Sequence, residues 1–430
     1  IGSSLAVAIA SNAQSSASEP GKADHPPNIL LIISDDQAWT DYSFMGHPTI
    51  RTPRIDRLAS QGLTFRRGYV PSSLCSPSLA TILTGLFAHQ HGWTSNDPPL
   101  PQGKPPRLAN QDAGYRAMRR SMIERLSKSP TLPQLLAARG YLSLQTGKWW
   151  GGDYKTAGFS EGMTHADPDK GGRHGDEGLK IGRETLAPVY DFIDRSLESN
   201  KPFFVWYAPM LPHQPHNPPA RFLEKYRDRT SSLEIAKYWA MVEWFDETCG
   251  QLLDHLDKRG IAEDTIVVYL ADNGWIQDPK ADRFAPRSKQ SPYDGGLRTP
   301  IIVRWPRKLR QESSDLPASS IDIAPTLLAA AGLPPTADMP GLNLLDRKGL
   351  DRRKAIFGET FSHNAVDIDH PASSLRDRWT ITENWKLILP DPRNSPQDHP
   401  ALYDIIADPF ERHDLSKQHP KKVGELKGLI

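Results

Sequence analysis

The feature that most constrains this chain is a set of short apolar runs that each stop at a polar or charged residue. NILLIIS ends at Asp35 and Asp36, YLSLQTG at Lys148, and TIVVYLA at Asp272 and Asn273. PFFVWYAP leads into LPHQPH, which carries His213, and TPIIVRWP is a fifth run of the same kind. Unbroken apolar runs of this length fit strands covered on both faces, as in a parallel sheet. Helical patterns over 53–61, 131–139, 180–198 and 234–258 supply the crossovers that such a sheet needs. The expected fold class is α/β, a large mixed, mostly parallel sheet flanked by helices. In open α/β sheets ligands sit beyond the carboxyl ends of the strands. Asp35, Asp36, Lys148, His213, Asp272 and Asn273 all fall there.

A chain of 430 residues has room for one large domain and a smaller second one. Its formal net charge of +1 argues against a general polyanion-binding surface, so no nucleic-acid partner is expected, although a local basic pocket fits. The 39 prolines imply many ordered loops. The stretch IGSSLAVAIASNAQSSASEP reads as the tail of a secretory signal peptide or as a disordered tail. No later apolar run approaches the roughly 20 residues that span a bilayer. A secreted or periplasmic protein without a membrane partner is expected.

Each strand-end group has an ordinary alternative. SDD after a strand serves as a turn or helix cap, and ADNG is a good turn sequence. Taken together they offer three carboxylates and an amide carbonyl, an all-oxygen set that suits Ca²⁺ or Mg²⁺. Zinc would call for His or Cys ligands. The chain has two cysteines. Cys249 lies on an amphipathic pattern with Tyr238, Met241, Val242, Phe245, Leu252, Leu253 and Leu256, and reads as core. Cys75 stands in SSLCSPSLATILTG, where Ser76 reads as a helix N-cap, Pro77 as the first helical residue and Gly85 as the stop. Residue 75 is thereby placed at the positive end of a helix, where an anion is favoured.

CSPSLATILTG resembles the Cys-x-Pro-Ser-Arg-x-x-x-Leu-Thr-Gly signature of the type I sulfatases, in the alkaline-phosphatase superfamily. Further segments are similar to that family in the same order: NILLIISDDQ, GYLSLQTGKWW, PHQPH, ADNG, SKQSPYDGGLRTPIIVRWP and LYDIIADPFERHDLS. The resemblance implies that a maturation enzyme converts Cys75 to formylglycine. The hydrate of that aldehyde is the nucleophile, and its second hydroxyl lets the sulfated intermediate break down. It implies one Ca²⁺ held by Asp35, Asp36, Asp272 and Asn273 with the oxygen of residue 75. It further implies Lys148 and Lys289 on the sulfate oxygens, and His213 as the acid near the leaving group or as a sulfate ligand. A sulfate ester is anionic, which is why cations and a metal surround its oxygens.

The resemblance breaks at two positions. Leu79 stands where the family has arginine, and Trp150 where it has histidine. Trp150 offers a face for stacking on a sugar ring, or packs beneath a loop. The nearby GGRHGDEG carries Arg173, His174 and Asp176, expected to replace the missing arginine and histidine or to form a solvated loop.

The expected organisation is a signal remnant or tail over 1–25, a catalytic domain over 26–345 and a C-terminal subdomain over 346–430. In the last, RWTITENWKLILP reads as a hairpin turning at Glu383 and Asn384, joined by KAIFGET and ALYDI in a small antiparallel sheet closed by a helix. Segments 94–112 and 151–179 read as rim loops of the substrate pocket. Three readings of function stay open. They are hydrolysis of a sulfate ester on a sulfated carbohydrate, hydrolysis of a phosphoester or phosphonate by a member of the same superfamily, and non-catalytic binding of a sulfated glycan.

Overall fold

The computed structural model describes residues 25–167, 169 and 176–430. Along the chain its strands are β1 (Asn28–Ser34), β2 (Leu63–Phe65), β3 (Gly68–Tyr69), β4 (Leu142–Gly147), β5 (Glu161–Gly162), β6 (Phe203–Ala208), β7 (Thr265–Ala271), β8 (Ile301–Arg304), β9 (Glu312–Ser314) and β10 (Ala318–Ser319). They continue with β11 (Ile356–Phe361), β12 (Leu375–Thr382), β13 (Trp385–Pro390) and β14 (Ala401–Asp404). The main sheet has the order β5-β4-β6-β1-β7-β8-β2-β9, with β3 and β10 paired beside it. The segment from β5 to β7 is parallel throughout.

Alternation along the strands builds two apolar layers. Ile29, Leu31 and Ile33 of β1 join one layer with Phe204, Trp206, Val268 and Leu270. Leu30 and Ile32 join the other with Val205, Tyr207, Val267 and Tyr269. Helix Cys75–Thr84 covers the first layer through Leu79, Ile82 and Leu83. Helix Leu233–Lys258 covers the second through Met241, Phe245, Cys249, Leu252 and Leu256. Cys249 is thus a core residue, as its periodicity predicts. The two-sided burial explains why the strands read as continuous apolar runs rather than as alternating ones.

The fifth apolar run departs from the parallel pattern. β8 lies antiparallel to β7 and to β2. Burial on both faces gives the same composition in either direction, so the sequence of a strand does not fix which way it runs.

Strands β11 to β14 form a separate antiparallel sheet, with Thr382 opposite Trp385 across the turn at Glu383 and Asn384. Helix Pro420–Lys427 packs Leu426 against Leu387 and Leu402. The other face buries Trp379, Ile381 and Ile388 against Tyr69, Val70 and Leu297 of the larger unit. A buried ion-pair cluster crosses this junction. Lys386 of β13 reaches Asp294 and Glu411, each at 2.8 Å, and Asp294 also accepts from the Tyr69 hydroxyl at 3.2 Å. Removing one partner of such a cluster strands buried charge. Lys386→Met is expected to cost about 3–5 kcal/mol, seen as a lower urea midpoint; an unchanged midpoint would show that the cluster does not hold the junction.

Candidate active site

The site is made by the ends of parallel strands. β1 and β7 pair in register from Asn28–Thr265 to Ser34–Ala271. Asp35 and Asp36 therefore emerge beside Asp272 and Asn273. Asp36 has φ 65°, in the left-handed region that aspartate tolerates better than most residues. Its backbone N–H donates to Asp272 Oδ1 at 3.1 Å, and Asn273 Nδ2 donates to Asp36 Oδ1 at 2.6 Å.

Lys148 follows Gly147 at the end of β4. Gly147 has φ 73°, and a Cβ there would lie 2.0 Å from the Ala208 carbonyl oxygen, so only glycine lets β4 approach β6 closely at this point. His213 hangs on the loop after β6. Arg183 braces that loop, donating to the Met210 carbonyl at 3.0 and 2.7 Å and to the His213 carbonyl at 2.9 Å. Cys75 is the first residue of helix Cys75–Thr84, and Leu74 is its N-cap with no side-chain hydrogen bond. The expected cap at Ser76 and first helical position at Pro77 are each corrected by two residues, to Leu74 and Cys75, because Ser76 and Pro77 already lie within the helix. Gly85 ends the helix at φ 69°, as expected.

The side chains form a buried lattice of charge. Lys148 bridges Asp35 and Asp272, the latter at 3.3 Å. Lys289 reaches both oxygens of Asp36 at 2.7 Å. His213 Nε2 lies 3.4 Å from Asp36 Oδ2, while its Nδ1 lies 2.7 Å from the Gln214 carbonyl oxygen. A carbonyl only accepts, so Nδ1 carries the proton and Nε2 is turned to the site. Burial pushes Asp35 and Asp272 up to about 6 against the pull of Lys148. Asp36 moves the other way: burial opposes its ionisation, but Lys289, His213 and Lys148 outweigh it and hold the carboxyl below the usual range. Burial pushes His213 down to about 3, with the two lysines adding to the effect against Asp36. The buried Cys75 thiol is pushed up to about 11. The lysines stay protonated, since the carboxylates overcome their desolvation.

Cys75, Lys148, Trp150, His213 and Lys289 line one cavity of about 260 Å³. These five sequence-predicted residues thus share one cavity, beside the carboxylates of Asp35 and Asp36 that Lys148 and Lys289 contact.

The family model described as Sulfatase matches residues 27–333, and that described as N-sulphoglucosamine sulphohydrolase, C-terminal, matches residues 287–427. The chain belongs to the sulfatase family. Human N-acetylgalactosamine-6-sulfatase is 28% identical, over 92% of this chain and 82% of its own length. The N-acetylglucosamine-6-O-sulfatase of Bacteroides thetaiotaomicron is 25% identical, over 100% and 90%. The fold is similar to that of a protein solved with D-glucosamine-2-N,6-O-disulfate (TM-score 0.69, 22% identity, 94% of this chain and 96% of that one). It is also similar to the phosphonate monoester hydrolase of Agrobacterium radiobacter (TM-score 0.67, 18% identity, 94% of both chains).

The residues of this sulfatase fit a hard divalent cation. Asp35 Oδ2 and Asn273 Oδ1 are buried oxygens with no hydrogen-bond partner. Ligand atoms of Asp35, Asp36, Cys75 and His213 lie within 4.8 Å of one another. Orphaned oxygens beside clustered carboxylates are what an oxygen-seeking cation satisfies. His213 joins the cluster by position, a proximity its place in a separate loop conceals in the sequence.

Leu79 is fully buried among Ile82, Leu83 and other members of the first apolar layer. Trp150 lines the cavity and also packs with Ala166, Leu179 and Met210, so one side chain belongs both to the cavity wall and to the packing behind it. Arg173 and His174 lie outside the described residues. Asp176 accepts from the backbone N–H groups of His165 and Ala166 at 3.2 and 2.9 Å, and Ala166 packs against Trp150. Cavity residues missed in the sequence include Asn96, Trp275, Phe284 and His363. Only Asn96 lies in a segment expected to form the rim, and none of the four carries a motif of its own. Trp150→Ala is expected to raise KM and also to cost about 3–5 kcal/mol of stability, whereas Trp150→Phe recovers most of the stability. A rise in KM with unchanged thermal melting would mean that Trp150 contacts substrate only.

Proposed function

We propose that this sulfatase hydrolyses a sulfate ester on a sulfated carbohydrate. The observation that carries the reading is the convergence of Cys75, two charged lysines and a neutral histidine on one cavity, backed by an oxygen-rich cation site. In its formylglycine form, made from Cys75 by a maturation enzyme, residue 75 supplies a hydrated aldehyde as nucleophile, while calcium held by Asp35, Asp36, Asp272 and Asn273 supplies the positive charge that Lys148 and Lys289 otherwise provide to those carboxylates. Lys148 and Lys289 take the sulfate oxygens, and charge-assisted hydrogen bonds from buried ammonium groups favour the charge that builds there. His213 keeps Nδ1–H on the Gln214 carbonyl and turns an unprotonated Nε2 to the site; with the anionic sulfate bound, Nε2 takes up a proton from solvent and gives it to the leaving oxygen as the S–O bond breaks. The Trp150 ring offers an apolar face to the C–H face of a pyranose.

The names of the relatives, N-acetylgalactosamine-6-sulfatase and N-acetylglucosamine-6-O-sulfatase, support a sugar substrate. The proposed ligand set of Asp35, Asp36, Asp272 and Asn273 offers oxygens alone, with His213 assigned to the leaving group, and it favours sulfatase over zinc-dependent phosphoester chemistry. Export to the periplasm or the exterior belongs to the same proposal. Its support is the small, apolar N-terminal run, and no helix of the described residues is long and apolar enough to cross a membrane.

The test is release of free sulfate from a panel of sulfated oligosaccharides, with the state of residue 75 established by mass spectrometry. Cys75→Ala is expected to lower turnover by on the order of 10⁴-fold or more while sulfated-sugar binding stays measurable. Undiminished turnover by that variant would sink the mechanism. No sulfate release by the parent with residue 75 converted would favour the non-catalytic binder. Asp272→Ala is expected to abolish both calcium binding, measured calorimetrically, and turnover. Tight zinc binding with no response to calcium would overturn the metal assignment.

A further inference from the structure

We infer that Asn96 is a further substrate-binding residue of this site, its side-chain amide donating to a sulfate oxygen beside residue 75; the inference rests on the sulfate-ester reading above. Asn96 is 4% exposed and lines the cavity together with Cys75, Lys148 and Lys289. Its other polar atoms are already committed. The backbone N–H donates to the His363 carbonyl at 2.9 Å, and the backbone carbonyl accepts from Arg119 Nη1 at 2.7 Å. The side-chain oxygen accepts from the Ser76 N–H at 2.9 Å.

That last bond fixes the amide's orientation. A backbone N–H only donates, so the atom facing Ser76 is the oxygen and the other terminal atom is the NH₂ group. Among the described residues Nδ2 meets no protein acceptor, and the cavity is the space left to it. A neutral donor is thereby aimed at the space that Lys148 and Lys289 enclose.

The donor is held rigidly. Arg119, itself buried, also pairs with Asp97 at 3.0 Å and donates to the Trp150 carbonyl at 3.3 Å. Its guanidinium stacks 5.4 Å from the Trp93 ring centroid. Helix Ala113–Leu126, which carries Arg119, therefore ties Asn96 to the wall that bears Trp150. On the other side, residues 363–365 hold the chain at Asn96 and Asp97 through backbone hydrogen bonds. A fixed donor binds a charged oxygen without reorganising during reaction.

Asn96→Asp separates this role from helix capping. The carboxylate still accepts from Ser76 N–H and sits favourably at a helix start, but it presents an acceptor and a negative charge to the sulfate. Turnover is expected to fall on the order of 10²–10³-fold with the melting temperature unchanged. Binding of inorganic sulfate is then measured by calorimetry in the Cys75→Ala background, where no hydrolysis intervenes. Asn96→Asp is expected to weaken it on the order of 10–100-fold. Asn96→Ala, which brings no charge, should weaken it too while lowering the melting temperature through loss of the cap. Full activity or unchanged sulfate affinity in Asn96→Asp overturns the assignment, as does unchanged affinity in Asn96→Ala. Weakened sulfate binding in a parent that releases no sulfate from any sulfated sugar would leave Asn96 in place and defeat the reaction class instead.

Discussion

The pairing of three buried carboxylates with two buried lysines is the interaction on which the rest of the site depends. Asp35, Asp36 and Asp272 are at most 2% exposed and lie at the ends of adjacent strands. Carboxylates buried together repel one another and lose their hydration, a cost that burial alone cannot recover. Lys148 and Lys289 offset it, each by direct contact. This arrangement needs strand ends that cannot drift. The two apolar layers on either face of β1, β6 and β7 provide that stiffness, because a one-residue slip of any strand would exchange its entire buried set between layers.

The same coupling explains why so much of the site was legible in the sequence. A group that must stand at the end of a buried strand is announced by the strand itself. Asp35, Lys148 and Asp272 each follow an apolar run, and each lies where that reading places it. The direction of β8 was not legible, since two-sided burial writes the same composition for either orientation. Nor was the start of helix Cys75–Thr84: Ser-Pro is a common cap and first-turn pair, and here a leucine at the N-cap leaves both residues inside the helix. Asn96 was hidden for a different reason. Its role comes from contacts with Ser76, Arg119 and His363, which are distant in sequence or carried by loops that follow no period.

The two departures from the sulfatase signature acquire a physical meaning in the fold. An arginine at position 79 would have to leave the apolar layer that Leu79 now fills, or be paired within it. At position 150 an indole packs against Ala166, Leu179 and Met210, where an imidazole would fill less of the wall. Both changes exchange polarity for packing. Positive charge at the described cavity wall then rests chiefly on Lys148 and Lys289, with Arg283 nearer the solvent.

A pocket so altered is better completed by a neutral donor than by another cation. A further buried cation would have to be paired when substrate is absent, and the carboxylates already have two lysines. An amide carries no such demand. Its cost is confined to one unsatisfied N–H₂ group facing a cavity that water can enter, and its orientation is fixed by a bond to Ser76 rather than by charge. Asn96 meets these conditions, and it does so on the wall beside the first turn of the helix that begins with residue 75. There, backbone N–H groups and the amide favour negative charge from the same side. One side chain therefore touches both the first turn of that helix and the cavity wall, so a shift of the helix start would be felt in the pocket.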